Sequence, residues 1–313
     1  MSAKYHVDLW DPSYGSSVDT DDDAPATPSS AQLDLAVERP PDSWQPLSPP
    51  PDTRAPAVVR LVDGVRRIDA RVWVEAGDQT LLPALAASYA AGLVRCDLGR
   101  GAAELTEAPV HRGLFTPSPD AADLGQGITG YAVRRVRASE PAKLIAAVQP
   151  ALQALEAELS TSDREDDDLL VLDGPLAGRT HLPRAVGYIK THHRQYLPPE
   201  PNRVVGGLAP GQRTPVFRLG PNRLSWYLKL PGGGPSPWGG VVRLEASADL
   251  TTADAIGLAD RSAVTLPRLT SLPYKDPRAP QNLVPIAGLE SRLRRMLGDP
   301  RLLVRALTAA ARA

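Results

Sequence analysis

The run Leu169-Leu170-Val171-Leu172 lies between Asp166-Asp167-Asp168 and Asp173-Gly174-Pro175, and it sets the tightest limit on the fold. Consecutive aliphatic residues with no polar residue alternating among them suit a short strand buried on both faces. Asp173 then sits where that strand leaves its sheet, with Gly-Pro turning the chain at once. Asp at such a place starts turns. It is equally the place for a carboxylate that binds metal or moves protons from a rigid strand end. This stretch alone leaves both readings open.

A second stretch repeats the design. Val58-Val59-Arg60-Leu61-Val62 runs into Asp63-Gly64, and Asp-Gly is a frequent turn pair. The text "VVRLVDGVRRIDARVWVEAGD" therefore predicts two strands around a turn, with the second arm alternating through Ile68, Ala70, Val72 and Val74.

The rest of the pattern fits a mixed sheet covered by helices. Leu144, Val148, Leu152, Leu155 and Leu159 recur at helical spacing after Glu140-Pro141. Pro150 lies inside that helix and is expected to kink or divide it. "TGYAVRRVRA", "RAVGYIKTHH", "TPVFRLG", "RLSWYLKLP" and "GGVVRLEAS" read as strands. The tail from residue 280 reads as two helices separated at Gly298-Asp299-Pro300. Strands, a helix, more strands and then helices make an α/β domain, in which ligand and metal chemistry gathers at strand ends. Its expected bounds are 57–313. Residues 1–56 read as an N-terminal arm, with aromatic Tyr5, Trp10 and Tyr14, followed by an acidic and Pro-rich linker. The arm either packs on the body or docks a partner.

Composition removes several classes. One cysteine, Cys96, excludes an internal disulfide framework and a Cys-rich zinc site. No apolar run is long enough to span a membrane, and the opening residues lack the design of a secretory signal, so the expected location is the cytoplasm. The formal net charge of −1 argues neither for nor against nucleic acid, because a nuclease needs only a local basic groove. Walker-type loops and GxSxG turns are missing from the text.

Phosphodiester hydrolysis on divalent ions needs several carboxylates that converge, and hard oxygen ligands suit Mn2+ or Mg2+. Asp63 and Asp173 are the candidate metal ligands on strands. Glu156 is the candidate from the helix, one turn beyond Leu152 at the edge of the apolar stripe; the competing reading is a boundary Glu paired with an Arg. Lys190 ends its strand much as the aspartates end theirs and is placed to contact a phosphate or to be a surface lysine. His192 and His193 follow it as loop histidines. Arg66 and Arg67, with Arg134, Arg135, Arg137 and Arg184, are candidates to line a DNA groove.

These pieces together resemble the NurA-type nucleases, and in particular their bacterial branch. The matching text is "LVDGVRR" (61–67), "LLVLDGPL" (169–176), "VGYIKTHH" (186–193), "RLSWYLKL" (223–230) and "PRAPQNLVPIAGLESRLRRMLGD" (277–299). The resemblance implies a ribonuclease-H-like fold and a Mn2+-dependent DNA nuclease. It further implies a homodimer docked on a hexameric HerA-type ATPase that processes DNA ends, in repair or in defence against phage. Carried over by position, Asp63 and Asp173 become metal ligands, Glu156 the helix glutamate and Lys190 a phosphate contact. Archaeal members carry a histidine near the C-terminal helix, and no histidine follows His193 here. Either Asn282 or Glu290 substitutes for it, or the last ligand is absent. That departure keeps a second reading open, a non-catalytic adaptor of the same fold that binds DNA and the translocase. A sugar-kinase or actin-like ATPase is a more distant third.

Overall fold

The computed structural model describes residues 32–75, 80–137, 139–162, 164–176, 178–192 and 195–312. The aromatic arm with Tyr5, Trp10 and Tyr14 lies outside them, as does His193.

The strands are β1 (Leu33–Asp34), β2 (Val58–Glu75), β3 (Leu81–Asp97), β4 (Ala102–Glu107), β5 (Val110–Thr116), β6 (Ala132–Arg135), β7 (Asp168–Asp173), β8 (Ala185–Ile189), β9 (Phe217–Leu219), β10 (Arg223–Lys229) and β11 (Val241–Ser247). The helices are α1 (Pro141–Leu159), α2 (Pro199–Gly206), α3 (Thr252–Thr265), α4 (Val284–Met296) and α5 (Pro300–Ala310). All strands belong to one mixed sheet, in the order β1-β9-β10-β11-β8-β7-β2-β3-β5-β6, with β4 beside β3. Within that order, β5-β3-β2-β7-β8 is the ribonuclease-H-like core. Three strands consecutive along this edge are followed, after helix α1, by β7 added beside β2 and by β8 parallel to β7. Among the described residues, no helix is long and apolar enough to cross a membrane.

Two compact units emerge along the chain. The first comprises Met1–Leu61, Cys96–Ala103 and Arg164–Ala287; the second comprises Val62–Arg95, Glu104–Asp163 and Gly288–Ala313.

In the first unit, β7 confirms the opening argument, since Leu169 through Leu172 are all buried. At roughly 1.5–3 kcal/mol per buried aliphatic side chain, those four residues are a large share of what fixes the strand. Its entry is held by Asp168, which is fully buried and bonded by Arg164 and Arg184, with Arg60 at 3.7 Å. Burial opposes the charge of Asp168, yet the two hydrogen-bonded guanidiniums prevail and keep its carboxyl below the ordinary range. The Pro-rich segment before residue 57 is fastened to this unit. Trp44 packs on Phe217 and donates to the Leu35 and Arg39 carbonyls, while Glu38 pairs with buried Arg213, which also holds Asp260 of α3. A buried indole and a buried ion triad are what a free linker lacks.

In the second unit, one expectation fails. Val58–Glu75 is a single continuous strand, and Asp63-Gly64 lies inside it, not in a turn. Gly64 does not adopt the left-handed backbone that would need a glycine. It is glycine because α1 lies too close: a Cβ there would stand 2.6 Å from both Glu156 Oε1 and Leu152 Cδ1. The same device recurs at Gly92 of β3, where a Cβ would meet Leu289 Cδ1 at 2.5 Å. The Ala-rich text of β3 follows from this packing. Ala84, Ala86, Ala87, Ala90 and Ala91 are buried, and small side chains let covering elements approach a strand that propensity alone would not favour. Helix α1 runs through Pro150 undivided.

Candidate functional site

The first unit contributes a carboxylate with an ammonium bonded to it. Asp173 ends β7, and Gly174 (φ 98°) turns the chain in a conformation open to glycine. The turn is then fixed from two sides: the Gly174 N–H donates to the Tyr188 carbonyl at 2.9 Å, and the Leu176 N–H to Glu245 Oε2 at 3.2 Å. Gly187 of β8 makes room for the returning chain, since a Cβ there would lie 2.5 Å from the Leu176 nitrogen. Asp173 is thus held on a rigid strand end.

Lys190, just past β8, donates to Asp173 Oδ2 at 2.6 Å and to Asn282 Oδ1 at 3.1 Å. Asn282 is itself oriented by its amide, which donates to Asp276 Oδ2 at 2.6 Å. The Tyr188 hydroxyl donates to the Gln281 carbonyl at 2.7 Å, and burial together with the Asp173 charge pushes its pKa well above that of a free phenol. The loop before α4 is therefore docked on the end of β8 by Tyr188 and Lys190. Sequence alone aimed Lys190 outward at a phosphate or solvent; its folded role includes pairing with Asp173.

The second unit contributes Asp63 and Glu290. Asp63 is buried, and its Oδ1 accepts the Gly64 N–H at 2.7 Å. Neighbouring strand residues project to opposite faces. Gly64 points at α1, so Asp63 points away from it. Glu156 is buried on α1, as its place beside Leu152 predicts, but it belongs to the Gly64 face. The helix carboxylate on Asp63's side is Glu290 of α4, with carboxylate oxygens of the two residues within 4.8 Å. Glu156 and Glu290 thus lie toward opposite faces of β2, with Glu290 on the side of Asp63. Both glutamates carry the same sequence signal. Glu290 lies between Ile286 and Leu293 on a buried stripe just as Glu156 lies between Leu152 and Leu159. Only the face of the sheet tells them apart.

The arginines separate in the same way. Arg66 is exposed and reaches the Ile145 carbonyl at 3.4 Å. Arg67 is committed to the fold: it donates to Asp69 at 2.8 Å and to the Gly298 carbonyl at 2.9 Å, closing the end of α4. Asp69 also accepts from Ser88 and Tyr131, and burial with the Asp69 charge raises the Tyr131 pKa to about 12. Arg67 is thus bonded within the fold, where Arg66 stands exposed. Arg135 holds the Ser118, Pro119 and Ala121 carbonyls, and Arg184 holds Asp168. His192 is a core histidine, its Nε2 at 3.1 Å from the Val241 carbonyl and its ring between Tyr227 and Trp238.

Comparison with solved structures finds the endonuclease V of Bacillus subtilis, 13% identical, covering 80% of this chain and 85% of that one with a TM-score of 0.35. It also finds the catalytic domain of human endonuclease V, 15% identical, covering 85% and 89%, with a TM-score of 0.32. No family model and no curated protein matches the chain.

Proposed function

We propose that the chain is a metal-dependent deoxyribonuclease in which Asp63 and Glu290 hold a divalent cation, Mn2+ or Mg2+, with Asp173 a further candidate ligand. One observation carries the reading: Asp63 and Glu290 each offer a carboxylate oxygen, and these atoms lie within 4.8 Å of one another. The donor set fits the group. Carboxylate oxygens are hard ligands suited to these ions, and no thiolate or imidazole is among them. Two like charges this close repel by roughly 3 kcal/mol at an effective dielectric near 20, which a divalent cation relieves.

Such a cation, when bound, activates water and stabilises charge on a phosphodiester during hydrolysis. The chain's own residues do the rest. Asp63 is fixed by the Gly64 N–H, and Asp173 by its closed turn. Lys190 spans Asp173 and Asn282, so its ammonium stays beside the Asp173 carboxylate and favours an approaching phosphate. Arg66 supplies exposed positive charge on β2 for the polymer backbone.

The choice of DNA, the homodimer and the hexameric HerA-type translocase follow from the family resemblance. Incubating linear DNA with the purified chain and Mn2+ tests the reading. Shortening that Asp63→Asn and Asp173→Asn abolish, with folding preserved, is the expected result. Stoichiometric binding with no shortening, in the presence and absence of the ATPase, would replace it with the adaptor reading.

A further inference from the structure

A cavity of about 310 Å3 in the first unit, outside the acidic site, has Tyr196, Arg223, Arg243 and His192 in its wall, together with Pro175 and Ile189. We propose that it is a nucleotide pocket, which takes the phosphate of one nucleotide on the paired arginines and its base against the ring wall. This deepens the nuclease reading and rests on it, since the nucleotide assigned belongs to the substrate strand.

The charge arrangement points to an anion. Arg223 on β10 and Arg243 on β11 each give Nη1 to the same oxygen of Glu245, at 2.8 and 2.7 Å. Glu245 is fully buried and Arg243 nearly so. Neutralising one carboxylate takes one guanidinium. The second carries a positive charge beyond what Glu245 cancels, and bringing it there has a desolvation cost that a purely structural pair would not need. A guanidinium has five N–H donors in a planar fork that matches phosphate oxygens. Arg243 also lies 4.9 Å from the centre of the Tyr196 ring, so charge and flat polarisable surface stand side by side. That combination suits a nucleotide better than a simple anion.

Register places the pocket. Arg243 pairs with Ile189, whereas Tyr188 pairs with both Leu244 and Asp173. Paired residues share a face, so the Arg243 side of the sheet is opposite the Asp173 side. The two meet at the strand ends: Pro175 comes two residues after Asp173, and Ile189 immediately precedes Lys190. Glu245 links them, since its other oxygen accepts the Leu176 N–H of the turn behind Asp173. A nucleic-acid strand crossing this edge would set one nucleotide in the pocket beside the nucleotide at Asp173.

The test uses full-length protein and a short fluorescein-labelled single-stranded oligonucleotide, read by anisotropy in EDTA so that the metal plays no part. Arg223→Gln, at the more exposed arginine, is expected to weaken binding roughly fivefold to tenfold and to lower the slope of log affinity against log salt by about one. Tyr196→Leu is expected to weaken it roughly fivefold with the slope unchanged. Excess deoxynucleoside monophosphate should displace the oligonucleotide from wild type far better than from Arg223→Gln, and better than inorganic phosphate does. A folded Arg223→Gln protein, with unchanged melting temperature, that binds with wild-type affinity and slope overturns the pocket. Equal displacement by inorganic phosphate overturns its nucleotide assignment. Because these readouts need no cleavage, Mn2+-dependent shortening of linear DNA by wild type separately decides the nuclease reading.

Discussion

Neutralising Asp63 should change what Mn2+ does to the stability of the fold. In metal-free buffer, the Asp63 and Glu290 carboxylates, within 4.8 Å, repel each other, by roughly 3 kcal/mol before solvent screens them. Asp63→Asn removes that repelling pair. Its Oδ1 can still accept the Gly64 N–H that Asp63 accepts at 2.7 Å, so the expected change in EDTA is a gain of roughly 1 kcal/mol, not a loss. Saturating Mn2+ acts the other way. A ligand at about a hundred times its dissociation constant stabilises by ~2.7 kcal/mol. For a chain of this length that is a rise of about 4 °C in melting temperature. Differential scanning fluorimetry with and without Mn2+ reads both effects. Wild type should rise with the metal and Asp63→Asn hardly at all, while starting higher. A mutant that keeps the full Mn2+-induced rise, or that melts well below wild type in EDTA, would refute the reasoning.

Other perturbations read separate parts of the structure. Gly64→Ala forces a Cβ to within 2.6 Å of Glu156 Oε1 and Leu152 Cδ1 and should cost about 1–3 kcal/mol in urea unfolding, whereas Gly257→Ala, in open space on α3, should be neutral or slightly stabilising. Asp168→Asn leaves several guanidiniums around a neutral amide and should cost about 3–5 kcal/mol. Because its folded pKa is depressed, the stability from Asp168 is present above the unfolded carboxylate pKa and is lost as pH falls through the folded one. The difference between wild type and mutant should therefore shrink in acid unfolding below roughly pH 4. Glu38→Gln loosens the Arg213 triad and should expose residues 39–56 to limited proteolysis while the body stays resistant.

The parts of the fold that the sequence makes legible are those where local chemistry and burial agree. β7 is one, because its four aliphatic residues need cover on both faces, and Asp173 can be placed from it directly. The two C-terminal helices are another, since Gly298 and Asp299 separate them and Asp299 caps α5 through the Arg301 and Leu302 N–H groups. α3 has an equally plain start, Thr251 accepting the Asp254 N–H, which attention to strand patterns passes over. Asp63 is the instructive case: the strand leading to it is legible, but the turn inferred around it is absent. Asp-Gly serves turns and close packing alike, and only the neighbouring helix shows which. The choice between Glu156 and Glu290 was beyond reach for a related reason. Periodicity fixes which side of its own helix a residue faces, but not which face of the sheet that helix covers. Arg67 looked like part of a basic groove because a sequence shows charge without showing the carbonyls that absorb it.

The missing side chain at Gly64 has one more consequence. Asp63 and Gly64 occupy alternate sides of one strand, with Glu156 waiting on the glycine's side and Glu290 on the aspartate's. Shifting the strand by a single residue would exchange them, turning the aspartate toward α1 and driving its bulk into Leu152. The void beneath α1 thus works as a keyway: it admits only hydrogen, and so locks β2 in the one register that delivers Asp63 to its proper partner.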